Sequence, residues 1–188
     1  MIQVSAFILI GGDSSRFGYP KWKASIGGMT ILERIWKQCE KCEHRFIIGK
    51  KIPTGSTKPF IKDILDIQAP INGLYTALKK SKTNWILLLS CDLPLISEKI
   101  LLHLWNHNDK SKDIIVPRIK GRLEPTCAFY HKNVINQCFK RIESNKFGLN
   151  KFILNTKFNP IDMDAQSEQF LNMNTKNDMS LAEKILRL

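Results

Sequence analysis

Short, continuously apolar segments alternate along the chain with segments whose apolar residues recur every three or four positions. The first kind is typical of strands buried on both faces, and the second kind predicts amphipathic helices. The clearest strand is residues 85–90. Thr30, three residues before Glu33, predicts a capping box at the start of the first helix. The predicted strands are 4–10, 45–49, 60–65, 85–90, 113–116, 126–130, 158–163 and 170–173. The predicted helices are 30–42, 71–80, 97–107, 132–142, 147–154 and 178–188.

This alternation predicts an α/β fold with one mostly parallel sheet that is covered by helices on both faces. No repeat and no linker divides the chain, so we expect a single domain over residues 1–188. Ligands of such sheets bind beyond the carboxyl ends of the strands. The loops that follow the predicted strands are therefore the places to look for chemistry.

The net charge of the chain indicates what kind of partner it binds. The 188 residues include 29 Lys and Arg against 17 Asp and Glu, a net charge of +12, which favours an anionic partner. Nucleic-acid binders cluster their cations on one face, but these lysines are scattered, so a phosphate-rich small substrate is favoured over nucleic acid. No apolar run reaches the ~18 residues of a membrane span and no signal segment is present, so we expect a cytoplasmic protein without membrane contact.

The five cysteines are expected to be reduced thiols, as is usual in that compartment. Cys39 and Cys42 have metal-ligand spacing, but no second pair with matching spacing follows them. The cysteines therefore do not by themselves predict a metal or redox centre.

The turn after the first predicted strand combines two glycines with two cations. Gly11 and Gly12 let the backbone approach a ligand closely, and a turn lined by N–H groups favours anions. Arg16 and Lys21, a planar fork and a point charge, suit a polyphosphate. The glycine spacing matches neither a P-loop nor a dinucleotide-binding fingerprint. From these residues alone, a phosphate-binding loop and an ordinary turn with solvated cations both stay open.

Asp92 follows the most strongly apolar strand, within Ser-Cys-Asp-Leu-Pro. A carboxylate that leaves a central strand stands at the ligand crevice, where it can hold a divalent cation beside phosphates. The alternative is an N-cap for the next helix, for which Ser97 is better placed. We therefore predict that Asp92 is a metal ligand.

Six short motifs occur in a characteristic order. They are Leu-x-Gly-Gly-x-x-x-Arg-x-Gly-x-x-Lys from residue 9, Gly-Gly-Met-Thr-Ile-Leu-Glu from 27, Pro-Ile-Asn-Gly-Leu from 70, Cys-Asp-x-Pro from 91, Glu-Pro-Thr-Cys-Ala-Phe-Tyr from 124 and Phe-Leu-Asn-Met-Asn-Thr from 170. Each motif is modest alone, but the ordered set spans most of the chain and resembles the molybdenum cofactor guanylyltransferases.

The resemblance implies a Rossmann-like three-layer α/β/α fold and an enzyme that transfers GMP from GTP to the phosphate of molybdopterin, with Mg²⁺, releasing pyrophosphate. It implies a nucleotide-binding part over about residues 1–95 and an acceptor-binding part over about 96–188. The implied GTP-binding residues are Leu9, Ile10, Gly11, Gly12, Lys21, Asp63 and Asp92. The implied catalytic residues are Arg16, Lys21 and Asp92, with Asp92 holding the metal, and Asn172 and Asn174 are implied to face the pterin.

Some of these assignments have plain alternatives. Asp63 is also the kind of residue found exposed at a strand end, and Asn172 and Asn174 are common turn residues. The chain departs from the family pattern at Gly49, where an asparagine is usual, and at Glu124, where a histidine is usual. It also has Lys176 in place of the proline that usually starts the last helix.

Three other functions stay open. A molybdopterin cytidylyltransferase usually has Ala-Gly in the first turn, and another small-molecule nucleotidyltransferase would lack the Asn-x-Asn-Thr ending. From a different class, the chain could be a nucleotide-binding regulatory module. The expected partners are GTP and molybdopterin, with other cofactor-biosynthesis proteins or molybdoenzyme chaperones left open.

Overall fold

A computed structural model of the chain describes residues 1–11 and 18–187. The strands within these residues are β1 (Ile2–Leu9), β2 (Ser25–Ile26), β3 (Met29–Thr30), β4 (Cys42–Gly49), β5 (Phe60–Lys62), β6 (Trp85–Ser90), β7 (Ile114–Ile119), β8 (Arg122–Leu123), β9 (Cys127–His131) and β10 (Phe158–Asp162). The α-helices are α1 (Ile31–Gln38), α2 (Pro70–Lys80), α3 (Glu98–Asn106), α4 (Ile135–Glu143), α5 (Leu149–Leu154) and α6 (Lys176–Leu186).

The main sheet has the strand order β10-β7-β9-β6-β1-β4-β5, and the short β8 pairs with β7. The pairs β1/β4, β1/β6, β4/β5 and β7/β10 are parallel, whereas β9 runs antiparallel to both β6 and β7. The prediction of a mostly parallel sheet is therefore confirmed. Because β9 is reversed, its first residue lies at the edge of the sheet where the parallel strands end.

Successive residues of the central strands point into two separate cores, as the two-residue period of a strand requires. In β1, Val4, Ala6 and Ile8 face a core formed with α1, α3 and α6, whereas Phe7 faces a core formed with α2, α4 and α5. The predicted three-layer α/β/α arrangement is confirmed. No helix among the described residues combines the length and apolarity that crossing a membrane requires.

Side-chain caps define where three helices begin. The predicted capping box of α1 is present: Glu33 N donates to Thr30 Oγ1 at 3.2 Å, and the Glu33 carboxylate accepts the Thr30 N–H. Ser97 caps α3 as predicted. Thr175 and Asp178 form a second capping box, and α6 begins at Lys176. This box supplies the helix start for which the family normally uses a proline.

One predicted strand is absent, and the predicted strand 60–65 and the first predicted helix both end early, at Lys62 and Gln38. Residues 170–173 do not form a strand: a 3₁₀ helix covers Asp164–Phe170, and the residues after it cross the edge of the sheet instead of extending it. Their polar groups are paired there, with Met173 N donating to Asp92 O at 2.8 Å. The first helix ends at Gln38 and not at residue 42, because Cys42 already belongs to β4.

Candidate active site

The predicted ligand-binding residues lie along one edge of the sheet, where its parallel strands end. Gly11 follows β1, Asp63 follows β5 and Asp92 follows β6. The reversed direction of β9 brings the preceding residues, 124–126, to the same edge. Ligands of α/β sheets bind at this edge, so the structure places the predicted residues where chemistry is expected.

Lys21 connects the beginning of the chain to its end. Its Nζ donates to Asn174 Oδ1 at 2.6 Å, although the two residues are 153 positions apart. Lys23, two residues further on, is exposed, and its Nζ lies over the Trp22 ring, 5.3 Å from the centroid. The two lysines therefore differ in kind, since Lys21 faces the C-terminal segment and Lys23 makes a local contact.

The main chain of Asp92 holds the C-terminal segment, and its carboxyl group is left available. The hydrogen bond from Met173 N to Asp92 O fastens that segment to the end of β6. The Asp92 carboxylate oxygen Oδ1 is shielded from solvent, and no group in the described part of the chain hydrogen bonds to it. A buried carboxylate oxygen without a partner costs free energy, so this atom is suited to a ligand or a cation.

Glu124, a departure from the family pattern, is built into the site. Its Oε1 accepts a hydrogen bond from Thr126 Oγ1 at 2.7 Å, and its Oε2 accepts one from Asn172 Nδ2 at 3.3 Å. Burial raises the pKa of the Glu124 carboxyl; the Thr126 hydrogen bond acts to lower it, and the nearby negative charge of Asp92 adds to the rise. Glu124 thus orients the Asn172 amide close to Asp92.

Asp63 marks the other side of the site. Its backbone N–H donates to Gly49 O at 2.9 Å, which places it next to the end of β4. Its carboxylate oxygen Oδ1 is buried and has no hydrogen-bond partner among residues 1–11 and 18–187. Burial raises the pKa of the Asp63 carboxyl, and Lys50 partly offsets the rise. Asp63 is therefore not the freely solvated strand-end aspartate that the sequence alone left open.

Two glycines let the segments around the end of β1 pack closely. A Cβ at Gly49 would lie 3.0 Å from Ile10 Cγ1, so the Ile10 side chain takes the space next to this position. A Cβ at Gly73, in α2, would overlap Leu9 Cδ2. Ile10 thus packs against Gly49 and Leu9 packs against Gly73, which fixes the end of β1 where its backbone is predicted to meet the nucleotide base.

A buried asparagine holds the loop that carries Asp63. The Asn72 side chain, fully buried in α2, accepts from Leu65 N at 3.3 Å and donates to Leu65 O at 2.6 Å and to Ile67 O at 3.1 Å. Thr76, one turn later and also buried, accepts from Ile64 N at 3.0 Å. Beyond the end of β5, the loop has no strand pairing to satisfy its backbone groups. The Asn72 and Thr76 side chains hydrogen bond to these groups instead and so fix the loop after Asp63.

We expect Asn72→Ala to lower the free energy of unfolding by about 2–3 kcal/mol, because buried backbone groups of the loop would lose their partners. Urea unfolding followed by circular dichroism measures this loss. Asn155→Ala is the matched control: among the described residues, the Asn155 side chain bonds only to Lys151 O at an exposed helix end, and we expect a change within about 0.5 kcal/mol. Equal losses in the two variants would show that the loop does not depend on Asn72.

The structure places nearly all predicted site residues at this edge. Lys21, Asp92, Asn172 and Asn174 form one connected group, and Asp63 lies on the other side of the end of β1. Gly12 and Arg16 lie outside the described residues. Asn72 is not among the predicted site residues, although it lies inside the Pro-Ile-Asn-Gly motif. Glu124 is predicted only as a departure from the family pattern, because nothing in the local sequence shows which distant side chain it contacts.

The fold, together with the family match that follows, identifies a nucleotidyltransferase, an enzyme that transfers a nucleotidyl group from a nucleoside triphosphate. The chain belongs to the family of MobA-like NTP transferase domains, whose sequence model matches residues 6–156. The enzymatic class predicted from the sequence is confirmed, and the regulatory-module alternative loses its support.

Individual relatives agree over the full length of the chain. A probable molybdenum cofactor guanylyltransferase of Bacillus cereus is 28% identical over 197 aligned positions, covering 99% of this chain and 98% of its own. The crystal structure of molybdopterin-guanine dinucleotide biosynthesis protein A from Archaeoglobus fulgidus superposes with a TM-score of 0.85 at 19% identity, over 98% of this chain and 99% of its own. A 2-C-methyl-D-erythritol 4-phosphate cytidylyltransferase from Thermus thermophilus has the same fold, with a TM-score of 0.76 at 14% identity and 100% of both chains covered.

Proposed function

We propose that this protein transfers GMP from GTP to the phosphate of molybdopterin, giving molybdopterin guanine dinucleotide and pyrophosphate. The observation that carries the proposal is the hydrogen bond between Lys21 and Asn174, together with that between Met173 and Asp92. These contacts bring a candidate phosphate-binding lysine and a candidate acceptor-binding segment to Asp92, whose carboxylate oxygen Oδ1 is shielded from solvent. A nucleotide and a phosphorylated acceptor would then meet at Asp92.

The main obstacle to this reaction is repulsion between two anions, and the candidate residues address it. A phosphate oxygen of the acceptor attacks the α-phosphorus of GTP, and the bond to the β-phosphate oxygen breaks, so pyrophosphate leaves with the electron pair. Lys21 and Arg16 stabilise the charge that grows on this leaving group. The attacking phosphate is already ionised, so no general base is required. Asn172 and Asn174 orient the acceptor, which lowers the entropic cost of bringing the two substrates together.

The residues present fit a magnesium ion. Asp92 Oδ1, which no group in the described part of the chain hydrogen bonds, is a hard oxygen ligand, the kind that Mg²⁺ prefers. Among the described residues, no three His, Cys, Asp or Glu side chains group closely enough to hold an ion. This suits Mg²⁺, which commonly binds through one or two carboxylates with phosphate oxygens and water as the other ligands. When bound, the ion neutralises phosphate charge and polarises the α-phosphorus.

Base selection is assigned to Asp63 and to the backbone of residues 9–11. The Asp63 carboxylate, whose buried Oδ1 has no hydrogen-bond partner among the described residues, is complementary to the N1–H and 2-amino donors that guanine presents on one edge, whereas cytosine has a single amino donor. We therefore expect GTP to be turned over at least about tenfold faster than CTP, ATP or UTP, since losing one charge-assisted hydrogen bond costs about this factor or more.

Pyrophosphate release by the purified protein with molybdopterin and Mg²⁺, measured across the four nucleoside triphosphates, tests this preference. ITP, which lacks the 2-amino group, and the Asp63→Asn variant probe the assigned contact: both should reduce the advantage of GTP. Turnover of CTP equal to or faster than that of GTP would contradict the proposal and favour the cytidylyltransferase alternative.

A further inference from the structure

A cleft of about 470 Å³ opens at the same edge of the sheet, beside Glu124. It lies between the β7–β8 hairpin and the end of the 3₁₀ helix Asp164–Phe170. Its lining combines three apolar side chains, two cations and one carboxylate: Ile119, Leu123, Phe170, Lys120, Arg122 and Glu124. Apolar walls with a few polar groups at defined places are typical of small-molecule sites.

The hairpin turn keeps a lysine at the cleft in an unfavourable backbone conformation. The two turn residues, Lys120 and Gly121, have φ angles of +48° and +76°, as in the tight turn that usually carries Asn-Gly. A lysine at positive φ is strained, and such strain is kept mainly where the surrounding structure or function requires it. The Asp164 carboxylate accepts the Lys120 backbone N–H and holds the turn. Arg122 follows at once, so two exposed cations stand at the cleft.

The cleft is connected to the candidate catalytic carboxylate through one short segment. Glu124 lines the cleft, and its Oε2 accepts the Asn172 amide N–H. The next residue, Met173, donates its backbone N–H to Asp92 O. A molecule in the cleft would therefore lie on the acceptor side of Asp92, on the opposite side of β6 from the end of β1.

We propose that this cleft binds the ring system of the acceptor, a flat, nitrogen-rich heterocycle that carries anionic groups. The inference rests on the proposed function and assigns residues that it does not use. Phe170 and Leu123 pack against the faces of the ring, and Lys120 and Arg122 contact its anionic groups. Glu124 Oε2, which has one donor from Asn172, accepts a second hydrogen bond from a ring N–H.

Lys120→Asn tests the inference without damage to the fold, because asparagine adopts positive φ more readily than lysine does. We expect an unchanged or higher unfolding temperature, a KM for molybdopterin raised about tenfold, and an unchanged KM for GTP, as for the loss of one charge-assisted contact. Arg122→Gln should act in the same way. Lys151→Asn, which removes the same charge from the exposed surface of α5, a helix that does not line the cleft, should change neither KM.

Equilibrium dialysis of molybdopterin without GTP separates this inference from the proposed function. If molybdopterin binds the wild type and binds Lys120→Asn more weakly, the assignment of the cleft is supported even when no transfer occurs. In that case only the proposed function fails. Transfer with an unchanged KM for molybdopterin in both cleft variants overturns the cleft assignment alone. Equal effects of Lys120→Asn and Lys151→Asn, or a rise in the KM for GTP, also overturn it, because they indicate a diffuse field or a nucleotide contact.

Discussion

Asp92→Asn will reduce nucleotidyl transfer at least about a hundredfold and leave the protein as stable as the wild type. Removing one group that stabilises charge in the transition state commonly costs a factor of this size. Stability should be kept because Met173 bonds to the main-chain oxygen of Asp92, which the substitution does not change. The Asp92 carboxylate oxygen Oδ1 has no partner in the described residues, so replacing it removes a half-buried charge and breaks no hydrogen bond to that atom.

Transfer rates at saturating GTP and a series of Mg²⁺ concentrations, together with thermal unfolding, measure both parts of this prediction. Asp113→Asn is the control: Asp113 precedes β7, at the opposite edge of the sheet, and its carboxylate accepts from Asn133 Nδ2 at 3.0 Å. We expect that variant to retain full activity. Asp92→Asn activity above a tenth of wild type at high Mg²⁺ would exclude the assignment of Asp92 as the metal ligand.

Lys21→Ala is expected to slow transfer about a hundredfold and to weaken GTP binding. A single positive charge directed at a polyphosphate acts through electrostatics that alanine cannot replace. Lys23→Ala is the matched control, since its Nζ lies over the Trp22 ring and not at the site, and we expect GTP affinity within about twofold of wild type. Isothermal titration of GTP at two salt concentrations measures both variants. Equal losses that fade together with salt would indicate a diffuse basic field and no specific lysine.

A structural role for Lys21 can be separated from a role toward the nucleotide. Lys21 Nζ donates to Asn174 Oδ1, so Lys21→Ala also removes one anchor of the C-terminal segment. Asn174→Ala removes the same anchor but keeps the cation. If Lys21 binds phosphate, Asn174→Ala should raise the KM for the acceptor and leave GTP affinity unchanged. The same loss of GTP affinity in both variants would indicate that Lys21 only anchors the C-terminal segment.

Local sequence determined the elements that carry the site. The apolar run at residues 85–90 is β6 to the residue, because a strand covered on both faces needs apolar side chains in succession. Thr30 and Glu33 start α1 through contacts between residues three positions apart, which sequence spacing shows directly. The strand ends then place Gly11, Asp63 and Asp92 at one edge, since parallel strands share their direction.

The wrong predictions concern segments whose partners are far away in the chain. Residues 170–173 have the apolar character of a strand, but they lie beyond β10 and bond to Asp92 instead of to a strand edge. A short apolar run does not indicate whether a neighbouring strand is available to pair with it. Residue 42 has a helical periodicity with the residues before it, yet pairing with β1 draws it into β4.

What only the tertiary structure decided is which side chains meet. The bonds from Lys21 to Asn174, from Asn172 to Glu124 and from Asn72 to the loop after Asp63 depend on how the sheet is ordered and on the reversed direction of β9. The spacing of residues along the chain predicts contacts only within a helix turn or a strand pair. Beyond that range, the path of the backbone determines the distance between two side chains. The motifs therefore located the edge of the sheet, and the fold determined which residues at that edge act on the same ligand.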